Sequence, residues 1–407
     1  MRMLKYLIVI PQVFLVLAGT TLFAQPASEY LYKGIAAVNK EDYTAAMEYF
    51  SALTLKGSPE PLHYIKYGEA CCLAGLYDKA IESFQKADEQ KPGIADLYLA
   101  KCYAQNQDFA KAQQYLKKYL ANGMKKLYYE LYHDPAFFRF RSSAEWKAAF
   151  TPRPYSSDEQ ALNEALTLIN NDNAVEALGI TDEILSRRER YFKAFRIKAM
   201  AFERLSKYAE ASDTYSELIA LRGREPDYYN QRAACYEKTG KYQKAAHDYI
   251  KSLELDSFQL HLYLKLGNAA WKSKDAAIAK RSVEKYLKYY EKDEEALHLM
   301  GNILYKSEAY IDALYIQSEL IEINPGKEEY FTSRGQTYMA ANKPEFAARD
   351  FSMALDLNPR NADTYFNRGL AWLESGKIQA ACNDWNRADN LKHPDAVSYI
   401  RKYCSKF

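Results

Sequence analysis

Small and bulky apolar positions recur through this chain on a 34-residue period. Gly267, Gly301, Gly335 and Gly369 stand 34 residues apart, and Ala233, Ala199 and Ala165 continue the series toward the N-terminus. Twelve residues after each comes a second small residue: Ala177, Ala211, Ala245, Ala279, Ala313, Ala347 and Ala381. Four further on, most units carry a bulky one: Tyr215, Tyr249, Val283, Phe351 and Trp385. A glycine inside a helix costs about 0.8–1.0 kcal/mol relative to alanine, so its regular return predicts a packing reason. Two antiparallel helices approach closely where one offers Gly or Ala to an aromatic of the other. Each period therefore predicts one helical hairpin.

The clearest unit begins at Gly326 and reads GKEEYFTSRGQTYMAANKPEFAARDFSMALDLNP. Phe331, Gly335 and Tyr338 mark its first helix, Ala347, Phe351 and Ala354 its second, and Pro359 its exit. This pattern resembles the tetratricopeptide repeat family, whose unit is a 34-residue helix-turn-helix. The resemblance implies an all-α fold, a right-handed α-α superhelical solenoid in two arrays. Seven units in register run over residues 158–395, and residues 396–407 supply a closing helix with Ala396, Tyr399, Ile400 and Tyr403 on one side. Residues 25–119 hold about three more: Tyr30, Gly34, Ala46 and Phe50, then Tyr64, Gly68, Ala80, Phe84 and Ala87, then Ala100, Ala112 and Leu116.

Register is lost over residues 120–157. Terminal repeats of a solenoid must cover an apolar end, and Phe137, Phe138, Phe140, Trp146 and Phe150 are the side chains available. Trp146 and Phe150, four apart, are expected on one face of a short helix from Ser143 to Phe150, ended by the prolines of TPRPYSS. We expect an aromatic cap followed by a Pro-containing hinge, with a docking site for another protein as the alternative use of the aromatics.

Residues 1–24 are basic at Arg2 and Lys5, apolar from Leu7 to Leu17, then small and polar, which reads as a signal peptide cleaved after Ala24. A membrane anchor is the alternative, disfavoured by Pro11 and by an apolar run well short of about 20 residues. The expected product is an exported bacterial protein, periplasmic or secreted, with no stable membrane span after cleavage. Without those residues the chain has no net charge. It then offers no global field to hold nucleic acid, which needs a basic face. Thirty-six tyrosines suit inter-helix packing with the hydroxyl kept at a wet edge.

Six cysteines in an exported chain raise the question of disulfides. Cys382, opening the last second helix, and Cys404, in the closing helix, are the disulfide candidate. Cys71, Cys72 and Cys102 fall on first helices of adjacent units and offer one further bridge; otherwise they and Cys235 are expected as small core residues. No CxxC, HExxH, GxSxG, P-loop or dinucleotide fingerprint is present, and the six histidines are scattered. We expect no catalytic residues, no metal site and no cofactor.

The remaining chemistry is what the resemblance implies. In the family, the second, fifth, ninth, twelfth and thirteenth residues of each repeat line a concave peptide-binding face. Here they include Arg196, Met200 and Arg204, Asn230 and Lys238, Asn268, Trp271 and Lys272, and His298, Asn302, Tyr305 and Lys306. Arg204, Lys238, Lys272 and Lys306 form a basic row suited to an acidic group or a C-terminal carboxylate. Solvated helix charge explains the row as well, since Glu203 and Glu237 stand beside it. The expected function is a non-enzymatic adaptor or scaffold that binds peptide segments of other envelope proteins. The alternatives are a structural subunit using its hinge or convex faces, and a carbohydrate-binding or cryptic enzymatic role.

Overall fold

The computed structural model describes residues 27–55, 59–122 and 125–404. The signal peptide expected at residues 1–24 lies outside them. The described residues are all-helical, and consecutive helices pair as antiparallel hairpins stacked into a solenoid. Three hairpins come first: α1 (Ala27–Asn39) with α2 (Tyr43–Leu55), α3 (Pro61–Leu73) with α4 (Tyr77–Gln90), and α5 (Asp96–Gln105) with α6 (Phe109–Leu120). Two short helices follow, α7 (Tyr128–Tyr132) and α8 (Ala144–Ala149), separated by 3-10 turns at Pro135–Phe137 and Phe140–Ser142. Seven hairpins succeed them. They are α9 (Ser157–Asn170) with α10 (Ala174–Arg187), α11 (Phe192–Arg204) with α12 (Tyr208–Leu221), α13 (Pro226–Lys238) with α14 (Tyr242–Leu255), α15 (Leu260–Lys272) with α16 (Ala276–Leu287), α17 (Glu294–Lys306) with α18 (Tyr310–Ile323), α19 (Glu328–Ala340) with α20 (Pro344–Leu357), and α21 (Ala362–Glu374) with α22 (Ile378–Asn390). The last helix is α23 (Ala396–Tyr403).

The small-to-large register is the packing rule of each hairpin. A Cβ placed on Gly335 would lie 2.7 Å from Cε1 of Phe351, and Gly34, Gly68, Gly267 and Gly369 stand equally close against Phe50, Phe84, Val283 and Trp385. All five opposing side chains are buried. Gly301 faces Gln317 instead, a buried amide whose Oε1 has no hydrogen-bond partner. Between the helices, Asp172, Ser206, Gly240, Lys274, Glu308, Asn342 and Gly376 hold φ between 55° and 75° at the same turn position. Only two of the seven are glycine, although this left-handed region favours it.

Neighbouring hairpins are tied by a second periodic device that the apolar pattern does not contain. The Arg334 guanidinium donates to both carboxylate oxygens of Asp350 in its own hairpin, at 2.7 and 2.8 Å, and to Ser318 Oγ of the preceding one at 3.0 Å. Arg232 repeats this with Asp248 and Ser216, and Arg368 with Asp384 and Ser352. A bidentate fork fixes the angle between two helices as well as their distance.

The segment between the arrays packs on both sides. Phe137, Phe140 and Trp146 are buried with Leu116, Leu120 and Leu131 in the core of the second and third hairpins, while Leu127 is buried with Leu162, Ile169 and Ile197 beyond. Phe138 does not join the cap: it is 66% exposed and lies against the Arg141 guanidinium. At about three residues per turn, Phe137 and Phe140 share the buried side and Phe138 between them is left outside. Cys382 and Cys404 are joined, with Cα atoms 5.8 Å apart. Cys71, Cys72, Cys102 and Cys235 are free thiols, so the further bridge offered among the first three is not formed.

The two arrays also touch far from this segment. Tyr32 of α1 stacks on Tyr289, with centroids 5.3 Å apart, and packs tilted on Phe258 at 4.9 Å, and the Lys285 ammonium sits 3.9 Å from its ring centroid. Around this core, Asn39 donates to the Tyr290 hydroxyl at 2.7 Å and Lys288 pairs with Glu29 at 2.7 Å. Burial pushes the Glu29 carboxyl up, but hydrogen bonds from Lys288 and Tyr289 and the charges of Lys288 and Lys33 outweigh it, so its pKa is held below the ordinary range. A group depressed by docking favours the docked state above its ordinary pKa and ceases to do so as pH falls through the depressed value. The contact should therefore loosen below about pH 4.5. Small-angle scattering would register an increase in radius of gyration there at unchanged helix content, and Glu29→Gln should remove that acid-dependent increment. A radius independent of pH down to global unfolding would show that Glu29 does not hold the arrays together.

Candidate functional site

Two grooves lie along first helices of consecutive hairpins, one in each array. One is a cavity of about 630 Å³ over four consecutive first helices, α15, α17, α19 and α21. Trp271, Asn302, Tyr305 and Lys306 line it, together with Gln336, Met339, Ala340 and Leu370. Apolar and aromatic side chains thus surround the amides of Asn302, Gln336 and Asn367, from three helices, and one ammonium. The Lys306 Nζ lies 5.6 Å from the Tyr305 ring centroid and is exposed. Fixed aromatic faces beside hydrogen-bonding amides can grip an extended chain through its backbone and one apolar residue.

The other expected residues are distributed along the array. Asn268 donates to Glu295 at 2.9 Å, and His298 packs its ring on Tyr330 at 5.6 Å. Lys272 lies over Tyr242 at 5.0 Å and does not line the groove. Asn230 donates to Gln259 at 2.7 Å, and Lys238 is exposed. Two of the expected arginines have carboxylate partners: Arg196 pairs with Glu130 at 2.9 Å, half-buried, and Arg204 with Asp172 at the exposed surface. The expected basic row is therefore interrupted at its N-terminal end. A carboxylate on a neighbouring hairpin, invisible to a 34-residue count, neutralises Arg204.

The second groove, about 400 Å³, lies on α1, α3 and α5 and was not anticipated. Ile35, Val38, Glu69, Cys72, Leu73, Lys101 and Gln105 line it. They occupy the same register positions as the first set, so carrying the repeat numbering onto the N-terminal array would have found them. Its charges are internally paired, Lys66 with Glu69 at 2.8 Å and Lys101 with Asp134 at 2.6 Å. Burial pushes the Lys66 ammonium down, yet Glu69 outweighs it and holds the pKa above the ordinary value. Lys66 thus stays charged and committed to its partner. The charges of the N-terminal groove are paired within the protein, whereas the C-terminal one keeps the exposed ammonium of Lys306 for a ligand.

Among the described residues no group of three or more His, Cys, Asp or Glu is arranged to hold a metal ion, and no helix is long and apolar enough to cross a membrane.

Comparison with known proteins bears on the fold. Two profiles of the tetratricopeptide repeat match this sequence, one over residues 226–258 and another over 31–94 and 332–390. No curated protein matches it. Among solved structures, the C-terminal part of a repeat-containing protein from Cytophaga hutchinsonii superposes with a TM-score of 0.50 at 15% identity, covering 59% of this chain and 99% of that one. A tetratricopeptide repeat protein from Parabacteroides merdae gives 0.42 at 17% identity, covering 61% and 99%. YrrB, described as having an unusual peptide-binding site, gives 0.41 at 21% identity, covering 47% and 98%. The profile matches fall in both arrays, on hairpins where Gly34, Gly68, Ala233, Gly335 or Gly369 holds the small position sixteen residues before a buried aromatic, and this chain contains multiple tetratricopeptide repeats.

Proposed function

We propose that the protein captures extended peptide segments of other proteins in its C-terminal groove, as a non-enzymatic scaffold. Tetratricopeptide repeats support the general role of a protein-interaction scaffold. The finer reading is carried by one observation: Trp271, Asn302, Tyr305, Lys306, Gln336 and Met339 converge on a single cavity spanning four hairpins. We place its clients in the bacterial envelope or the secreted fraction. The signal-like residues 1–24 and the Cys382–Cys404 disulfide support that setting.

The test is affinity capture of residues 25–407 from the exported fraction, wild type beside Asn302→Ala with Lys306→Glu. Both positions line the groove and are not core residues, so the variant should keep its fold. Loss of two central contacts should weaken a groove-bound partner at least about tenfold. A partner retained equally by both proteins would move the interface elsewhere. The first alternative is then the outward face of α18, where Ile311 and Tyr315, one turn apart, are 84% and 72% exposed. That outcome would favour a structural subunit with an empty groove.

A further inference from the structure

At the junction of the two arrays, a cleft of about 340 Å³ lies between α7 and α9, and the peptide-binding reading does not use it. One wall is aromatic: Tyr128, Tyr129 and Tyr132 of α7, with His133 just after it. The rings hold one another. Tyr128 stacks on Tyr132 at 5.8 Å, and the His133 ring lies 4.1 Å from Tyr129 and 5.2 Å from Tyr132, centroid to centroid. The other wall is one face of α9 and its C-terminal cap, and every residue on it is polar: Asn163, Glu164, Thr167, Asn170 and Asn171. Among the described residues, no aliphatic side chain and no lysine or arginine lines this cleft.

Hydrogen bonds between the walls preform the cleft. Asn163 Oδ1 accepts from the Tyr129 backbone N–H at 2.9 Å, and its Nδ2 donates to the Glu159 carbonyl at 2.8 Å. These partners fix which end of the amide is oxygen and leave one lone pair and one N–H over. His133 Nδ1 lies 2.9 Å from the Tyr129 carbonyl, which can only accept. That nitrogen therefore carries the proton, and Nε2 of the neutral ring is left as an acceptor. The side chains of Glu164, Thr167, Asn170 and Asn171 are exposed. A second cavity, of about 330 Å³, shares Tyr128 and Asn163 with the first and is completed by Phe150, Arg153, Tyr155 and Gln160. The Tyr155 hydroxyl donates to the Lys126 carbonyl at 3.0 Å, which ties this side down as well.

We propose that this cleft binds a neutral oligosaccharide, with one sugar ring against the α7 aromatics and its hydroxyls on the polar face of α9. A pyranose has the same two-sidedness as the cleft. Its C–H groups, made slightly positive by the adjoining oxygens, suit the negative face of an aromatic ring. Its hydroxyls, each a donor and an acceptor, project from the edge. Amides match them because each offers a donor and an acceptor side by side. An extended peptide would need apolar hollows for its side chains, and no aliphatic side chain provides one here. An anionic ligand would meet Glu164 and no cation in this cleft. The second cavity, reached past Tyr128, takes the next sugar, so the smallest complete ligand is a disaccharide.

The experiment mixes the full chain with cellobiose, maltose or N,N′-diacetylchitobiose, and with digalacturonate as the anionic comparison, and reads saturation transfer from protein to sugar protons. The expected result is transfer to at least one neutral disaccharide, strongest on its ring C–H protons, and weaker binding of digalacturonate. His133→Ala with Thr167→Ala removes one group from each wall and should weaken the binding at least about tenfold. Both side chains are exposed, and far-UV dichroism verifies that the variant is folded. Asn302→Ala with Lys306→Glu should bind the sugar as wild type does, which separates this cleft from the peptide groove. Absence of transfer to all three neutral disaccharides, digalacturonate bound as tightly as they are, or binding unchanged in the His133, Thr167 variant overturns the assignment. If that variant instead loses a captured protein while no sugar binds, the cleft is a protein-docking surface and the proposal falls.

Discussion

Gly335→Leu should destabilise its hairpin by at least about 3 kcal/mol, and Phe351→Ala in the same chain should restore much of the loss. The Phe351 ring is fully buried against the glycine, and even a Cβ at position 335 would stand 2.7 Å from its edge. Alanine gains about 1 kcal/mol of helix propensity over glycine, which partly offsets the strain. Leucine gains no more and adds three further carbons where none fits, and overpacking of this kind costs about 1–3 kcal/mol or more. Phe351→Ala alone opens a cavity and costs about 3–5 kcal/mol. Together the two substitutions exchange hole and knob, so they should couple favourably by about 2 kcal/mol or more, far beyond the additivity of independent sites. A long repeat array need not unfold in one step. The measurement is therefore hydrogen exchange in α19 and α20 alongside denaturation. A double variant no more stable than the worse single one would mean that the ring and the glycine are not the contact that sets the spacing of this hairpin.

That contact was readable because it is local and periodic. The hole and its knob lie sixteen residues apart in one hairpin, so counting alone brings Gly335 to Phe351 and Gly369 to Trp385. The Arg334, Asp350 and Ser318 fork obeys the same sixteen-residue spacing, forward and backward, and repeats at Arg368 and Arg232. It was legible in principle, but a charged residue on a helix has too many uses for its type to announce a buried pair. Part of one cavity's lining was legible for a similar reason: the ninth, twelfth and thirteenth positions recur with the repeat, and Trp271, Asn302, Tyr305 and Lys306 meet in one cavity. Register does not decide which inward charges are free. Arg196 and Arg204 are taken by Glu130 and Asp172, which belong to other elements. The contact of Tyr32 with Phe258 and Tyr289 has no sequence signature at all. It depends on the accumulated superhelical path between residues some 250 positions apart, to which every hairpin contributes a small angle.

The cap separates the two kinds of aromatic most sharply, and Trp146→Ser should cost the first array about 3–5 kcal/mol while Phe138→Ser leaves it within about 0.5 kcal/mol. Trp146 is 2% exposed and has Phe137, Phe140 and Phe150 within 5.4 Å, centroid to centroid. Its indole N–H reaches the Tyr128 hydroxyl at 3.4 Å, the long end of a hydrogen bond, so packing supplies most of its contribution. Removing it opens the α6 side of the third hairpin, whose Leu116 and Leu120 share a core with Trp146, Phe137 and Phe140. In a solenoid the terminal hairpin depends on its cap, so the loss should spread to α5 and α6 before reaching α3 and α4. Phe138 has only the Arg141 guanidinium, 4.8 Å from its ring centroid, and mostly faces solvent. Hydrogen exchange across α5 and α6 reads the difference directly. Equal loss of protection in both variants would make Phe138 part of the cap after all. Equal retention would mean that the first array is held by its contact with α15 and α16 and not by the aromatic segment.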